Sequence, residues 1–303
     1  MKCCSVIFGG AGQDGIFLRD LLLSVGHQVY SFTHHGGPVG PPLDVADFYS
    51  VETVIKERRP DMIFHLAARS STRHENIIEN HRAIVEGALA VLESADRHVP
   101  NSKIFIASSA LVFKNIGLPI KEDDELITNT AYAMARAEAL QIARYFRHRG
   151  RRVYVGFLFN HESHLRPLNS VAKKVAANVL AISQGLQKTL IIGNASVVKE
   201  WTWAGDTVRA ILDFVNQDYF FELCIGSGIG ETVMNYASAC CKIVGVSPTM
   251  HLIEDPNYEA DYISLISDSS KIRSLGWLPR VDLDGLALLM INAEISRNKM
   301  LVS

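Results

Sequence analysis

The chain has 303 residues, a formal net charge of −2 and a pI near 6.6. This length suffices for the buried core of an enzyme, and the balanced charge excludes an electrostatic attraction to nucleic acid or to anionic membranes. Because no leader peptide precedes the first apolar segment and no apolar run approaches the roughly 18 residues of a membrane helix, we expect a soluble, cytoplasmic protein.

Short apolar segments rich in β-branched residues alternate with helical patterns in the first half of the chain. Strands are predicted near residues 3–8, 28–32, 61–66, 103–108 and 152–158, with helices near 15–25, 47–58, 75–98 and 132–149. This order predicts an α/β fold, with a doubly wound parallel sheet of the Rossmann type and helices on both faces.

After residue 160 the pattern becomes less regular. Helices are predicted near residues 168–184, 206–216, 231–244 and 283–296, and strands near 188–192 and 221–226. We assign these elements to a smaller, mixed part of the fold. The sequence thus predicts a dinucleotide-binding domain over residues 1–160 and a mainly substrate-binding part over 161–303, and the chain can cross between the two.

The five cysteines lack the spacing of zinc ligands or of redox pairs, which favours a location in the reduced cytosol.

The first strand runs into a glycine-rich turn, Gly9-Gly10-Ala11-Gly12-Gln13-Asp14-Gly15. Gly10, Gly12 and Gly15 fit the G-x-G-x-x-G spacing, which permits a tight turn and a close approach of the backbone to a pyrophosphate. Backbone N–H groups and the positive end of the helix dipole attract an anion at such a place. We therefore predict a dinucleotide site here, against the alternative of a plain turn between strand and helix.

A second group of polar residues is predicted at the carboxyl edge of the sheet, where open α/β sheets bind ligands. Ser108 and Ser109 end the fourth strand. Tyr132 and Arg136 are four residues apart at the start of the next helix, so their side chains share one face. Ser109 can then meet Tyr132. The alternative is an ordinary helix tyrosine followed by a solvated arginine.

Segments along nearly the whole chain resemble the extended short-chain dehydrogenases/reductases that act on nucleotide sugars, and most of all GDP-mannose 4,6-dehydratase-like enzymes. The resembling segments are the glycine-rich turn, His65-Leu66-Ala67-Ala68, Ser108-Ser109, Tyr132-Ala133-Met134-Ala135-Arg136, Leu158-Phe159-Asn160-His161-Glu162-Ser163, Gly193-Asn194, Trp201 with Asp206, Ile225-Gly226-Ser227-Gly228, and Ser270-Lys271 with Leu275-Gly276-Trp277-Leu278-Pro279. The run from Phe159 to Ser163 is the most specific to this subfamily, whereas the glycine-rich turn and the tyrosine are shared widely.

The resemblance implies that Tyr132 exchanges a proton with a sugar oxygen while hydride moves to or from a nicotinamide ring, and that Ser109 hydrogen-bonds the same oxygen. A tyrosine with a pKa of about 10 needs a fixed cation nearby to act as a base at neutral pH. The family places lysine four residues after the tyrosine, and this chain has Arg136. Because arginine is bulkier and does not deprotonate, we expect weakened or altered activity.

A second departure from the family concerns the reaction. The dehydratases carry an acidic residue shortly after the serine or threonine, whereas this chain continues Ser109-Ala110-Leu111-Val112. We therefore predict an NAD(P)-dependent oxidoreductase or epimerase that transfers hydride at a sugar carbon, preferably C4, of a nucleotide-diphosphate hexose. Two alternatives stay open: 4,6-dehydration with the acid relocated to His161 or Glu162, and a cofactor-binding protein with weak or no catalysis.

By the same resemblance, the substrate-binding candidates are Asn160, His161, Glu162, Lys173, Lys199 and Glu259. Lys199 takes the place of a diphosphate-contacting arginine, and a further family arginine before Glu259 is missing. Lys173 and Lys174 can compensate for it, or they are solvated helix lysines. His161 and His164 have no evident third ligand, so we predict no metal site.

The cofactor-binding candidates are Gly9, Gly10, Gly12, Gln13, Asp14, Gly15, His34, His35, Asp44, Ala67 and Ala68. The second strand ends without the acidic residue that usually binds the NAD ribose, and His34 and His35 stand there, which favours NADP. The resemblance implies that Asp44 contacts adenine, and a helix N-cap is the alternative role. The helices near 75–98 and 132–149 resemble those of a dimer interface, so we expect a homodimer.

Overall fold

The computed structural model describes residues 2–68, 74–255, 257–258 and 260–302 and has a six-stranded sheet at its centre. The strands of the chain are β1 (Cys4–Phe8), β2 (Gln28–Phe32), β3 (Met62–His65), β4 (Lys103–Ser109), β5 (Arg152–Leu158), β6 (His161–Glu162), β7 (Leu190–Ile192), β8 (Val198–Glu200), β9 (Thr202–Trp203), β10 (Glu222–Ile225), β11 (Gly230–Thr232), β12 (Leu252–Glu254) and β13 (Ser264–Leu265). The order in the central sheet is β10-β5-β4-β3-β1-β2, and every neighbouring pair is parallel. The predicted α/β fold with a Rossmann-type sheet is confirmed.

Helices cover both faces of this sheet. The α-helices of the chain are α1 (Gln13–Ser24), α2 (Phe48–Arg58), α3 (Ile77–Asn80), α4 (Gly87–His98), α5 (Ala131–His148), α6 (Val171–Ser183), α7 (Ala204–Val215), α8 (Val233–Val244), α9 (Pro248–His251), α10 (Ser270–Ser274) and α11 (Leu283–Val302). Val6 and Ile7 are neighbours in β1, yet Val6 packs in the core under α2, α4 and α5, and Ile7 in the core under α1 and α7. Because successive strand residues point to opposite faces, a strand buried on both sides is apolar throughout.

The helix predicted near residues 75–98 is not continuous. A 3-10 turn at His74–Asn76 leads into the short α3, and a π-helical stretch, His81–Glu86, separates α3 from α4. Gly87 then packs so closely that a Cβ atom there would lie 2.8 Å from a methyl carbon of Val45 and 3.1 Å from a ring carbon of His65 in β3. Apolar periodicity does not distinguish such a widened turn from α-helix, so the prediction of one helix was wrong in this detail.

Two elements that we assigned to the smaller part belong to the main part, which contains the central sheet and its helices. The strand predicted near 221–226 is β10, which pairs with β5, and the helix predicted near 206–216 is α7, which packs against α1. The smaller part is built instead from α6, α8 and α11, which pack on one another around Tyr236 and Trp201. The chain therefore leaves the main sheet after β5 and returns to it once at β10, a crossover that local patterns do not reveal.

Candidate active site

The glycine-rich turn takes the chain from β1 into α1 by a route that side chains would block. Gly9 has a φ of +96°, and a Cβ atom there would lie 2.6 Å from the backbone nitrogen of Ala67. A Cβ atom at Gly15 would lie 2.4 Å from the carbonyl oxygen of Gly9. The turn thereby brings the N-terminus of α1, which begins at Gln13, to the carboxyl edge of the sheet, where its positive end attracts an anion.

Three cavities follow one another from this edge into the smaller part. The first cavity, of about 710 Å³, lies at the ends of β1, β2 and β3 and is lined by Gly9, Gly12, His34, His35, Asp44, Leu66, Ala67, Ala68, Glu79 and Arg82 among others. The central cleft, of about 380 Å³, shares Gly9, Gly12, Leu66 and Ala68 with it. The third cavity, of about 340 Å³, shares Asp261 and Tyr262 with the central cleft. Two elongated ligands can therefore meet in the central cleft, one entering from each end.

The two predicted hydroxyl groups both line the central cleft. Thr130 caps α5, because its hydroxyl accepts a hydrogen bond from the backbone N–H of Ala133 at 3.1 Å, and this fixes Tyr132 in the first turn of the helix. Ser109 ends β4, and its hydroxyl accepts the N–H of Leu111 at 3.2 Å. The structure therefore brings Ser109 and Tyr132 to one cleft, as the sequence predicted.

Arg136 lies beside the phenol and is buried, with 5% of its surface exposed. Its guanidinium carbon is 5.1 Å from the centre of the Tyr132 ring, and the group donates a hydrogen bond to the carbonyl oxygen of Ala107. Burial, together with the charge of Arg136, lowers the pKa of nearby His65 to about 4. The alternative of a solvated helix charge is therefore wrong, and the cleft holds a fixed cation next to the phenol.

His161 and Asp14 also line the central cleft and form an ion pair with each other. The Nε2 atom of His161 is 2.8 Å from an oxygen of Asp14, and its Nδ1 atom is 2.7 Å from the carbonyl oxygen of Phe159. Gln13 joins the same two segments, since its side-chain oxygen accepts a hydrogen bond from the hydroxyl of Ser163 at 2.7 Å. Both ring nitrogens of His161 are thus engaged, which does not suit the role of a relocated acid.

Glu162 is not among the lining residues of the three cavities. Its carboxylate is buried and lies 3.5 Å from the ammonium of Lys199 and 3.3 Å from Nε of Arg166. Lys199 lines the third cavity and Arg166 the central cleft. Glu162 is therefore placed to hold two cations that face the cavities rather than to touch a ligand itself.

The first cavity contains His34 and His35, with ring centres 4.5 Å apart, and Asp44. One oxygen of Asp44 accepts the backbone N–H of Ala46, and the other pairs with Arg82 at 2.8 Å. The N-cap of α2 is Asp47, not Asp44, so the capping alternative for Asp44 is wrong.

The comparison with known proteins decides the family. A family profile described as GDP-mannose 4,6 dehydratase matches residues 42–290, which is most of the chain. The chain belongs to this family. A similar relative is GDP-mannose 4,6 dehydratase 2 of Arabidopsis thaliana, which is 26% identical over 332 residues, spanning 98% of this chain and 89% of that protein. The predicted resemblance to nucleotide-sugar enzymes of the extended short-chain dehydrogenase/reductase type is confirmed.

Solved structures of similar fold extend over the whole molecule. RMD from Pseudomonas aeruginosa complexed with NADPH superposes with a TM-score of 0.86 at 19% identity, covering 98% of this chain and all of that one. UDP-glucose 4-epimerase of Thermus thermophilus in complex with NAD gives a TM-score of 0.82 at 20% identity, covering 96% of this chain and 99% of that one. These likenesses show that the fold is shared over nearly the whole chain, with both the sheet and the smaller part included.

Besides Glu162, three predicted site residues of this family member lie outside the cavities or outside the described residues. Gly10 lies behind the loop, where a Cβ atom would be 1.8 Å from the hydroxyl of Ser31. The ammonium of Lys173 donates to the carbonyl oxygen of His164 at 2.7 Å, whereas its neighbour Lys174 lines the third cavity. Glu259 falls outside the residues that the structure describes.

Other lining residues were missed by the sequence analysis. Asp261 and Tyr262 line both the central cleft and the third cavity, and the Tyr262 hydroxyl lies 3.4 Å from the side-chain oxygen of Asn160. Burial raises the pKa of Tyr262 to about 12. Their segment has neither helical nor strand periodicity, so no local signal marked it. Arg166 was also missed, and the only sequence signal for it is that it follows the Phe159–Ser163 run.

Within residues 2–68, 74–255, 257–258 and 260–302, no group of three or more metal-ligating side chains is assembled. Over the same part of the chain, none of the helices combines the length and the apolar character that crossing a bilayer requires.

Proposed function

We propose that this chain is an NAD(P)-dependent enzyme that transfers hydride at a carbon, C4 by preference, of a nucleotide-diphosphate hexose, as an oxidoreductase or epimerase. The observation that carries the proposal is the central cleft, which joins the N-terminus of α1 to the phenol of Tyr132. The dinucleotide would enter from the first cavity and the nucleotide sugar from the third. Asn160 and Lys199 are the proposed substrate contacts, and Lys174 replaces Lys173 among them.

The chemistry divides between the cofactor and the chain. When bound, the nicotinamide ring accepts or supplies the hydride at the sugar carbon. Tyr132 takes the hydroxyl proton during oxidation and returns it to the carbonyl oxygen during reduction, and Ser109 hydrogen-bonds that oxygen. Arg136 stabilises the phenolate electrostatically, since its guanidinium is fixed 5.1 Å from the ring.

The test is turnover of a panel of nucleotide-diphosphate hexoses with NAD⁺ and NADP⁺, followed at 340 nm and by mass spectrometry. We expect either reduced nicotinamide or a new sugar of unchanged mass. Tyr132→Phe should lose about 100-fold or more in kcat, because a positioned acid/base contributes roughly that much. Tyr219→Phe is the matched control, since Tyr219 is 85% exposed. Full turnover by Tyr132→Phe would contradict the proposal.

For the cofactor we propose a preference for NADP. Support comes from the end of β2, where Thr33, His34 and His35 follow without a carboxylate, and from Arg82 in the same cavity. The double substitution His34→Ser with His35→Ser should weaken NADPH binding about fivefold and leave NADH binding unchanged, as a loss of roughly 1 kcal/mol of phosphate contact predicts. Equal binding of both cofactors by the unmodified protein would overturn this preference.

A second candidate function is 4,6-dehydration, which the names of the relatives favour. Elimination needs an acid in the central cleft, where Asp14 is held by His161 and Asp261 is a further carboxylate. This reaction would release water from GDP-mannose, a loss that mass spectrometry detects. Abolition of that loss by Asp261→Asn would favour dehydration, and the absence of any such loss in the unmodified protein would exclude it.

We also propose a cytoplasmic homodimer that forms through α3, α4 and α5. Each of these helices exposes a large apolar side chain, with Ile78 68%, Leu89 48% and Tyr145 58% exposed. Pairing these faces would bury them. Sedimentation should give twice the chain mass at micromolar concentration, and Leu89→Asp should give monomer. A monomer mass for the unmodified protein would remove the proposal. None of the five cysteines is paired in a disulfide, which supports the proposal of a cytoplasmic location.

A further inference from the structure

The ion pair between Asp14 and His161 joins two segments that are 147 residues apart in sequence. Asp14 is in the first turn of α1, next to the glycine-rich turn, and His161 is the first residue of β6, in the predicted substrate-binding stretch. Both side chains line the central cleft, with 20% of Asp14 and 14% of His161 exposed. The pair is therefore largely shielded from water and lies where the two proposed ligands meet.

The hydrogen bonds of His161 define its protonation. Its Nδ1 atom faces the carbonyl oxygen of Phe159, which can only accept, so Nδ1 carries a proton. Its Nε2 atom faces the carboxylate of Asp14, which also accepts when ionised. Burial opposes both charges, but the mutual attraction prevails, so the pKa of His161 is raised and that of Asp14 is lowered. The pair is an imidazolium with a carboxylate.

Asp14 has the same sign of charge as the diphosphate that we propose to bind beside it. The N-terminus of α1 attracts anions, and a dinucleotide diphosphate bound there has negative charge like the carboxylate. At close range in a partly dry cleft, such a repulsion is significant unless a cation offsets it. His161 supplies that cation at 2.8 Å.

We propose that His161 is a positioning residue that neutralises Asp14 and ties the substrate-binding stretch to the start of α1, so that the diphosphate site is complete only when both segments are in place. The link through Gln13 and Ser163 acts between the same segments. The inference rests on the proposed function, because it takes the anion at α1 to be a dinucleotide.

Besides Asp14, three other charged side chains line the cleft with His161. Arg166, which follows β6, faces His161 and opposes its protonation. Arg136 and Asp261 line the same cleft and contribute charges of opposite sign. These groups remain unchanged in the variants below, so a difference between variants reports on the pair.

The test is NADPH affinity, measured by fluorescence titration of four proteins: unmodified, His161→Asn, Asp14→Asn and the double variant. His161→Asn should weaken binding about tenfold or more, which corresponds to roughly 1.4 kcal/mol, because it leaves Asp14 charged and unpaired. The double variant should recover to within about threefold of the unmodified protein, since no charge is then left uncompensated. His164→Asn is the control, because His164 stacks on Trp203 and is not among the residues that line the central cleft.

The pH profile gives a readout that a merely structural role would not move. Affinity of the unmodified protein should fall as the pH rises through the raised pKa of His161, and the double variant should show no such fall. The inference is overturned if His161→Asn binds NADPH as tightly as the unmodified protein, or if the double variant stays as weak as His161→Asn.

A measurement on the unliganded protein separates this inference from the proposed function. Nitrogen-15 NMR of the His161 ring should show both nitrogens protonated at pH 7, and a neutral ring would overturn the inference whatever the protein binds. Failure of the unmodified protein to bind NADPH or NADH, with a doubly protonated ring, would instead contradict the proposed function and with it the role assigned to the pair.

Discussion

The first and third cavities are built in different ways. The first borders the glycine-rich turn and depends on backbone geometry, above all at Gly9, where a Cβ atom would collide with main-chain atoms and on whose carbonyl oxygen Gly15 packs. The third depends on side chains from distant segments, namely Lys174 on α6, Lys199 on β8 and Tyr262 between β12 and β13. A backbone site tolerates little change in sequence, whereas a side-chain site can be altered one residue at a time.

The largest expected effect tests the backbone site. Gly15→Val should abolish dinucleotide binding, because its Cβ would lie 2.4 Å from the carbonyl oxygen of Gly9 and must displace the turn. We expect a loss of at least about 100-fold in NADPH affinity, or roughly 3 kcal/mol, by fluorescence titration. Leu23→Val, on the exposed side of the same helix, is the control. Unchanged affinity in a folded Gly15→Val protein would show that the turn does not form the site.

The next effect concerns Arg136, which lines the central cleft between the first and third cavities. Arg136→Met removes the cation beside Tyr132 and should lower kcat by about 100-fold, whereas Arg136→Lys keeps the charge and should stay within about tenfold or gain activity. Steady-state kinetics at saturating substrate measure both variants. Equal losses in the two variants would mean that the hydrogen bond to Ala107, not the charge, is what matters.

A smaller effect is expected at the side-chain site. Lys199→Met should raise KM for the nucleotide sugar about tenfold with little change in kcat, because it removes a cation that contributes binding rather than chemistry. Lys173→Met is the matched control, since its ammonium is bonded to the carbonyl oxygen of His164 and lies outside the cavities. If both variants raise KM equally, the third cavity is not where the diphosphate binds.

The smallest effect is on stability. Since the folded pKa of His161 is raised, its contribution is complete below its unfolded pKa near 6.5 and is lost as the pH rises through the folded value. Since the folded pKa of Asp14 is lowered, its contribution is present above about 3.8 and is lost as the pH falls through the folded value. His161→Asn should cost on the order of 1 kcal/mol of unfolding free energy between these limits and less outside them. Thermal unfolding across pH 3–9 measures this, and a pH-independent difference would contradict it.

The same contrast separates what the sequence predicts from what it does not. Local backbone structure was predicted, whereas the packing of remote segments was not. Apart from the interrupted helix over residues 75–98, the strand and helix positions through β5, the glycine-rich turn and the placement of Ser109 and Tyr132 in one cleft were predicted, because periodicity and spacing encode local structure and the sheet edge. The return of β10 to the sheet was not, since its partner β5 is remote in sequence. The burial of Glu162 between Lys199 and Arg166 was also missed, because it depends on three segments packing together.

The central claim is that a nicotinamide ring binds beside the phenol of Tyr132. The most direct test is a crystal structure of the protein with NADP⁺ or NAD⁺ bound. The account predicts the diphosphate at the N-terminus of α1, the adenosine in the first cavity and the nicotinamide in the central cleft, in contact with Tyr132. A dinucleotide bound elsewhere, or a nicotinamide ring remote from that phenol, would contradict it.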